Sequence, residues 1–293
     1  AHGYRTPSRG RAIEQLGRAR LMALLRISLL KLVRRPATYV VFAILAGIIV
    51  LFFLALGFSV GQTDQMSDEL QIRILLRFPT AYTLLAGFVL SFGGLLAAAY
   101  AAAIIGADWA WGTIRAIISR GESRVRYTLV TFIAIAIVLL LGVLASFGIG
   151  VGAALAAATI GDVSTAGATD GDTLTTLPEL LARTWLGVAQ AGAIGFAIAM
   201  IFKSQLAGIG AAIALYFAET FLRLVPTLDE VLQYFPFAVS SAVIASTDEL
   251  TEGGFGEQAA TLDANVALIW SVGYIVGALL LASLAARRAQ ITQ

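Results

Sequence analysis

Cysteine is absent from the 293-residue chain, and histidine occurs once, as His2. The first absence removes disulfides, thiolate nucleophiles, iron–sulfur clusters and Cys-ligated zinc. The second argues against a haem held by paired histidines and against a histidine-based catalytic site. Charge is scarce as well: Asp, Glu, Lys and Arg make up 13% of the residues, against 59% hydrophobic ones. That is about half the charged share of an ordinary soluble domain. A soluble chain of this length needs a polar shell around its core, and the polar residues are too few to make one. A cytosolic enzyme, a disordered chain and a secreted disulfide scaffold are thereby disfavoured, which leaves an integral membrane protein. No G-x-x-x-x-G-K-[ST] loop occurs either. The lysine and backbone cradle for nucleotide phosphates is missing, so the chain is not expected to hydrolyse ATP or to be an enzyme.

A helix needs about 20 mainly apolar residues to cross the hydrocarbon core. Six stretches qualify: Tyr39–Ser59, Ala81–Ile105, Tyr127–Ile160, Trp185–Phe202, Leu206–Leu222 and Val266–Ala286. The expected fold is all-α, an integral membrane bundle of six transmembrane helices. The third stretch exceeds what a bilayer requires, and a break or tilt is expected near Gly148, Gly150 and Gly152. A seventh apolar stretch, Val231–Ser246, is short and interrupted by Pro236. It reads as a re-entrant or interfacial hairpin before the sixth span, the alternative being a full crossing.

Charge orients the bundle. With the N-terminus inside, the inner segments (1–38, 106–126, 203–205, 287–293) hold 16 Lys and Arg, and the outer ones (60–80, 161–184, 223–265) hold 4. Acidic residues run the other way, with 3 inside and 14 outside. This bias predicts both termini in the cytoplasm. The organisation expected is a basic leader over 1–38, a six-span domain over 39–286 and a short inner tail over 287–293. The leader lacks the cleavage pattern of a signal peptide. Within it, Leu21, Leu25, Leu29 and Leu32 share one helix face, widened by Met22 and Leu24, with Arg20, Arg26, Lys31 and Arg34 expected to point away. That predicts an N-terminal amphipathic helix lying in the inner interface. It is either a simple anchor, or an elbow that also touches a cytoplasmic partner, or both.

The inner loop Gly106–Arg126 (GADWAWGTIRAIISRGESRVR) is rich in Trp, Ile and Arg. Trp111, Ile114 and Ile118 fall on one helix face, and Gly121 follows as a stop. A short helix that is apolar on one side and basic on the other suits the grip of a partner. It also suits simple anchoring among lipid headgroups.

The residues Asp108, Gly112, Thr113, Ile114, Arg115, Ser119, Arg120, Gly121, Ser123 and Arg124 form a pattern that resembles the permease family of type-2 ABC exporters. The basic leader, the six spans and Tyr234-Phe235-Pro236-Phe237, similar to that family's Leu-Pro element, extend the resemblance over the whole chain. Two departures stand out: Asp108 replaces the more usual Glu, and Thr131 stands where a Lys is common. The resemblance implies a cytoplasmic coupling helix between spans 2 and 3, docked on a separate ATP-binding cassette ATPase subunit. It implies that Asp108, Trp111, Gly112, Thr113, Arg115, Arg120, Gly121 and Arg124 form the ATPase-coupling site. A second permease copy or a homologue would complete a pathway of twelve spans. ATP and Mg would sit on the partner ATPase, with no cofactor in this chain. Partners are then the ATPase, the second permease and membrane lipid, with no nucleic acid.

Glu219 is the one ionisable residue placed within a span, with Arg223 four residues on. An i,i+4 ion pair and a role in an outer gate are both open readings. Tyr234 and Pro236 mark the hairpin. Gln190 is expected to make a helix–helix hydrogen bond. Gly57/Gly61, Gly148/Gly152 and Gly273/Gly277 have the spacing that lets helices approach closely. The acidic outer stretch 223–265 reads as a solvated face or as a docking surface for a cationic partner. Spans this apolar favour export of an apolar or amphipathic substrate. A secondary transporter or channel, which usually carries paired ionisable groups at mid-membrane, and a non-transporting anchor subunit are the competing readings.

Overall fold

A computed structural model describes residues 9–62, 66–245 and 262–288. His2 and the rest of the first eight residues, residues 63–65, residues 246–261 of the acidic outer stretch (Ser246 among them), and the tail 289–293 lie outside the described residues. Among the described residues the regular elements are helices: α1 (Arg9–Val33), α2 (Pro36–Ser59), α3 (Met66–Leu76), α4 (Thr80–Ala110), α5 (Thr113–Ser119), α6 (Arg124–Ile160), α7 (Gly171–Phe202), α8 (Gln205–Leu222), α9 (Asp229–Leu232), α10 (Pro236–Ala245) and α11 (Ala264–Arg288). Six of these, α2, α4, α6, α7, α8 and α11, are long and apolar enough to cross a membrane. The chain is a multi-pass helical membrane protein.

Local chemistry sets the boundaries. Pro36 at the first position of α2 forces Arg35 into an extended conformation (φ −82°, ψ 126°), which ends α1. Thr38 then donates its hydroxyl to the Leu32 carbonyl at 2.7 Å, satisfying an end group of α1. The α7–α8 turn passes through Lys203 in the left-handed conformation, and Ser204 caps α8 by accepting from the Ala207 N–H.

Helices α4 and α7 form the centre. Their backbones approach so closely that a Cβ on Gly195 would overlap the backbone of Ala98. Gly57 plays the same part between α2 and α6, where a Cβ would sit 2.8 Å from the Ala157 backbone. Gly195→Val should therefore prevent α4 and α7 from closing, since overpacking against backbone has no side chain to yield. Gel filtration in mild detergent should show loss of most monodisperse protein. Gly47→Val, which meets no atom within 4 Å, should behave like the parent. Normal yield from both would refute this packing.

Several expectations change. The third span does not break: α6 runs through Gly148, Gly150 and Gly152 as one helix of 37 residues, about 55 Å long. At Gly150 a neighbour fills the space, with Leu85 packed where a side chain would stand. Gly148, Gly152, Gly273 and Gly277 meet nothing within 4 Å, and Gly61 is a turn residue at φ +77°. Of the paired glycines only Gly57 makes a close helix contact within this chain. The fourth span begins before Trp185, at Gly171, and contains Pro178. That extension is amphipathic, with Thr173, Leu180 and Thr184 buried and Leu177 packed behind them, so a stretch read as loop by its polarity is helical. α3 was likewise not expected. It is fixed by the Glu69–Arg73 pair at 3.0 Å and by Leu75 and Leu76 in the core.

Candidate functional site

The contacts of Gly106 with Gln205, Asp108 with Tyr127, and Arg124 with Arg287 gather one end of the bundle. There the end of α4 stands beside the starts of α6 and α8 and the end of α11. α5 hangs from this end on two glycines, Gly112 at φ +67° and Gly121 at φ +84°. Both take the left-handed conformation that a side chain resists, so each turn needs its glycine. Gly121 closes α5 by donating to the Ile118 carbonyl at 2.9 Å.

The turn at Gly112 corrects one expected feature. Trp111 belongs to the end of α4, not to the face of α5; it is 71% exposed, whereas Ile114 is buried. Trp111, Ile114 and Ile118 therefore do not form a continuous apolar stripe. Thr113 opens α5, half-buried. Arg115 and Arg120 are exposed, and neither enters an ion pair among the described residues. Arg124 turns the other way. Its Nη1 donates to the carbonyls of Ala286 and Arg287 at 3.4 Å, which satisfies the last turn of α11.

Asp108 is fully buried and holds the assembly together. Its carboxylate pairs with Lys31 Nζ (2.5 Å to Oδ2), accepts from Tyr127 Oη at 2.7 Å, and lies 3.3 Å from Arg35 Nη2. Lys31 was expected to face away from the apolar side of α1. It turns inward instead, because Ser28 and Leu32 beside it are buried while Leu25 and Leu29 pack on the core. Burial pushes the Lys31 ammonium below the ordinary lysine pKa, and the Asp108 charge opposes that shift. Arg35 also lies 5.1 Å from the Trp111 ring centre. On the far side of α4, Trp109 donates to Met200 Sδ at 3.0 Å, and the Lys203 ammonium sits 5.5 Å from the Trp109 ring. A Cβ on Gly106 would overlap the Gln205 backbone. The base of α5 is thus clamped between α1–α2 and the α7–α8 turn.

Sequence reasoning named Asp108 but missed its partners Lys31, Arg35 and Tyr127. The available signal was an acid at the end of a span among strongly basic inner segments, with two cations four residues apart ahead of Pro36.

The second cluster lies towards the opposite end. Glu219, 2% exposed, pairs with Arg223 at 3.2 Å. Its two oxygens also accept from the backbone N–H groups of Phe237 (3.0 Å) and Ala238 (2.6 Å), the first turn of α10. Arg183 Nη1 donates to the Val243 carbonyl at 3.1 Å near the other end of α10. A ten-residue helix is therefore held by an acid at its N-terminus and a cation near its C-terminus, as its dipole favours. Gln190 on α7 donates to the Pro236 carbonyl at 2.7 Å, so the expected helix–helix hydrogen bond runs to the first residue of α10. Tyr274 of α11 donates to the Tyr234 carbonyl at 2.6 Å. Counted along α7, Gln190 is about 18 Å from the α5 end by helical rise. Pro236 accordingly lies well inside the bundle, and α10 leads outward from it.

No group of three or more His, Cys, Asp or Glu suited to a metal ion occurs among the described residues. No curated protein matches the chain. A family model described as a protein of unknown function (DUF2705) matches residues 74–289, which include Asp108, α5, Glu219 and α10. The chain belongs to that DUF2705 family.

Proposed function

We propose that this chain is the membrane-spanning permease subunit of an ATP-driven exporter of the type-2 ABC kind. It would move an apolar or amphipathic substrate outward. The carrying observation is the geometry of α5: a short helix between two left-handed glycines, rooted through the buried Asp108 cluster, with Arg115 and Arg120 directed outward. An element that is hinged at both ends and fixed at its root passes on a push as a displacement of the helices behind it. Arginine suits the pairing with acidic residues of an ATPase cleft. ATP and Mg belong to that partner, and closure of two ATPase subunits would drive α5.

In this reading both termini are cytoplasmic and the protein sits in the bacterial inner membrane. α1 is the interfacial elbow helix, and Tyr234, Pro236 and α10 form a re-entrant hairpin. Two permease copies, or this chain and a homologue, enclose the pathway. Arg124 supports the site from behind by tying α6 to α11. Glu219 and Arg223 set the position of the hairpin at the outer side.

Arg120→Glu tests the reading. Purified in mild detergent from native membranes, the parent chain should bring down a stoichiometric ATPase with vanadate-sensitive activity. The variant should insert normally and lose at least about tenfold of that association, since a salt link becomes a repulsion. A parent chain that purifies without an ATPase, or a variant that retains it, would sink the proposal.

A further inference from the structure

At the α5 end, an open groove of about 690 Å³ runs between α1, α6 and α11. Leu21, Leu129 and Ile133 line its wall, and Arg124, Arg126 and Arg287 also border it. The three apolar residues are all more than a third exposed. Leu129 and Ile133 belong to the second and third turns of α6, a helix apolar enough to span a membrane. The arginines stand at the helix ends, in the first turn of α6 and the last turn of α11. The nearby acid is Glu122, paired with Arg126 at 3.6 Å across a partly exposed gap. It leaves the groove with a net positive charge. The first turn of α6, which the N-cap Ser123 side chain does not cap, adds the positive end of a helix dipole.

We infer that this groove binds one anionic phospholipid, with its phosphate on Arg126 and Arg287 and an acyl chain along Leu21, Leu129 and Ile133. A protein or peptide partner would need acidic and apolar groups at the same spacing. A lipid with a charged head supplies both from the bilayer that already surrounds α6 and α11. Guanidinium groups hold phosphate bidentately, and basic pockets between helices at a membrane surface select acidic headgroups. The volume suits a headgroup, its glycerol and the first part of one chain. The inference is independent of any ATPase partner.

The test is native mass spectrometry of the full chain, titrated in detergent with phosphatidylglycerol, phosphatidylcholine or glycerol 3-phosphate. One phosphatidylglycerol should be retained per chain. The double variant Arg126→Gln/Arg287→Gln should bind it about tenfold more weakly. Arg124 is left alone because it also satisfies the end of α11. Arg73→Gln, in α3 at the other end of the bundle, controls for general charge and should bind like the parent. Three results would each overturn the inference: equal retention of phosphatidylcholine, an unchanged affinity in the double variant, or glycerol 3-phosphate binding as tightly as the lipid. Collapse of the double variant would be seen in its gel-filtration profile. In that case Leu129→Ser/Ile133→Ser should weaken lipid retention by a similar factor, and failure to do so also overturns it.

Discussion

Asp108→Ala should lower the melting temperature of the detergent-purified protein by roughly 10 °C. The cause is what the substitution leaves behind. Lys31 and Arg35 retain 26% and 16% side-chain exposure and meet at a carboxylate with none. Without it, two cations face one another and the Tyr127 hydroxyl loses the acceptor it now reaches at 2.7 Å. Removing one partner of a buried pair costs about 3–5 kcal/mol, because the remaining charge loses its counter-ion where water reaches it only in part. Asp108→Asn should fall between parent and Ala, since it keeps an acceptor for Tyr127 and loses the charge. The double variant Lys31→Met/Asp108→Leu should recover more than half of the loss, since apolar residues of similar size replace a buried pair at little cost. Heating followed by gel filtration reads all three. An Asp108→Ala protein within about 2 °C of the parent would mean that the cluster is solvated and holds nothing in place.

Glu219→Ala should release α10 from the bundle. The carboxylate accepts from two backbone N–H groups and from Arg223. A lost cap and buried donors without acceptors together cost about 2–4 kcal/mol. The loss should be local, because α10 is ten residues long and its remaining ties are Gln190, Arg183 and contacts to neighbouring helices. Protease cleavage within 223–245 should accelerate by at least about tenfold while the global melting temperature moves little. Glu219→Gln retains one acceptor and should be intermediate. Cleavage at the parent rate in Glu219→Ala would show that Gln190 and packing suffice. Substitution of Arg223 alone should matter less, because its side chain is 39% exposed and the carboxylate keeps both backbone donors.

The spans were legible because apolar length is a strong one-dimensional signal: Pro36–Ser59 and Gln205–Leu222 differ from expectation by only three and one residues at one end. The start of α7 was not legible. Gly171, Pro178 and the polar residues between them read locally as loop, and helicity there depends on burial of Thr173, Leu180 and Thr184 against neighbours. The unbroken α6 was likewise not legible: Gly150 is packed against Leu85 from another helix, a contact that no local window records. At the site, the α5 loop was identifiable by its Trp, Ile and Arg residues and by Gly121 as a stop, whereas Asp108, Gly112 and Thr113 came from the resemblance to a permease pattern. Which cation meets Asp108 was not legible, because Lys31 is 77 residues away in sequence and its direction depends on where α1 lies against α6. Glu219 was legible as a partner for Arg223, four residues on. Its role at the start of α10, 18 and 19 residues further along, required the fold.

The chain order of the Asp108 cluster has a consequence for biosynthesis. Lys31 and Arg35 leave the ribosome more than 70 residues before Asp108. At about 5–20 residues per second, that is an interval of several seconds. In the proposed orientation, with the N-terminus in the cytoplasm, the first apolar helix is flanked throughout that interval by two cations without their carboxylate, the form the insertion machinery reads. When α4 arrives, Asp108 withdraws the same two charges from the surface into the bundle. In that orientation one pair of side chains would act first as a topological signal and later as a structural pin, at different moments in the life of a single chain.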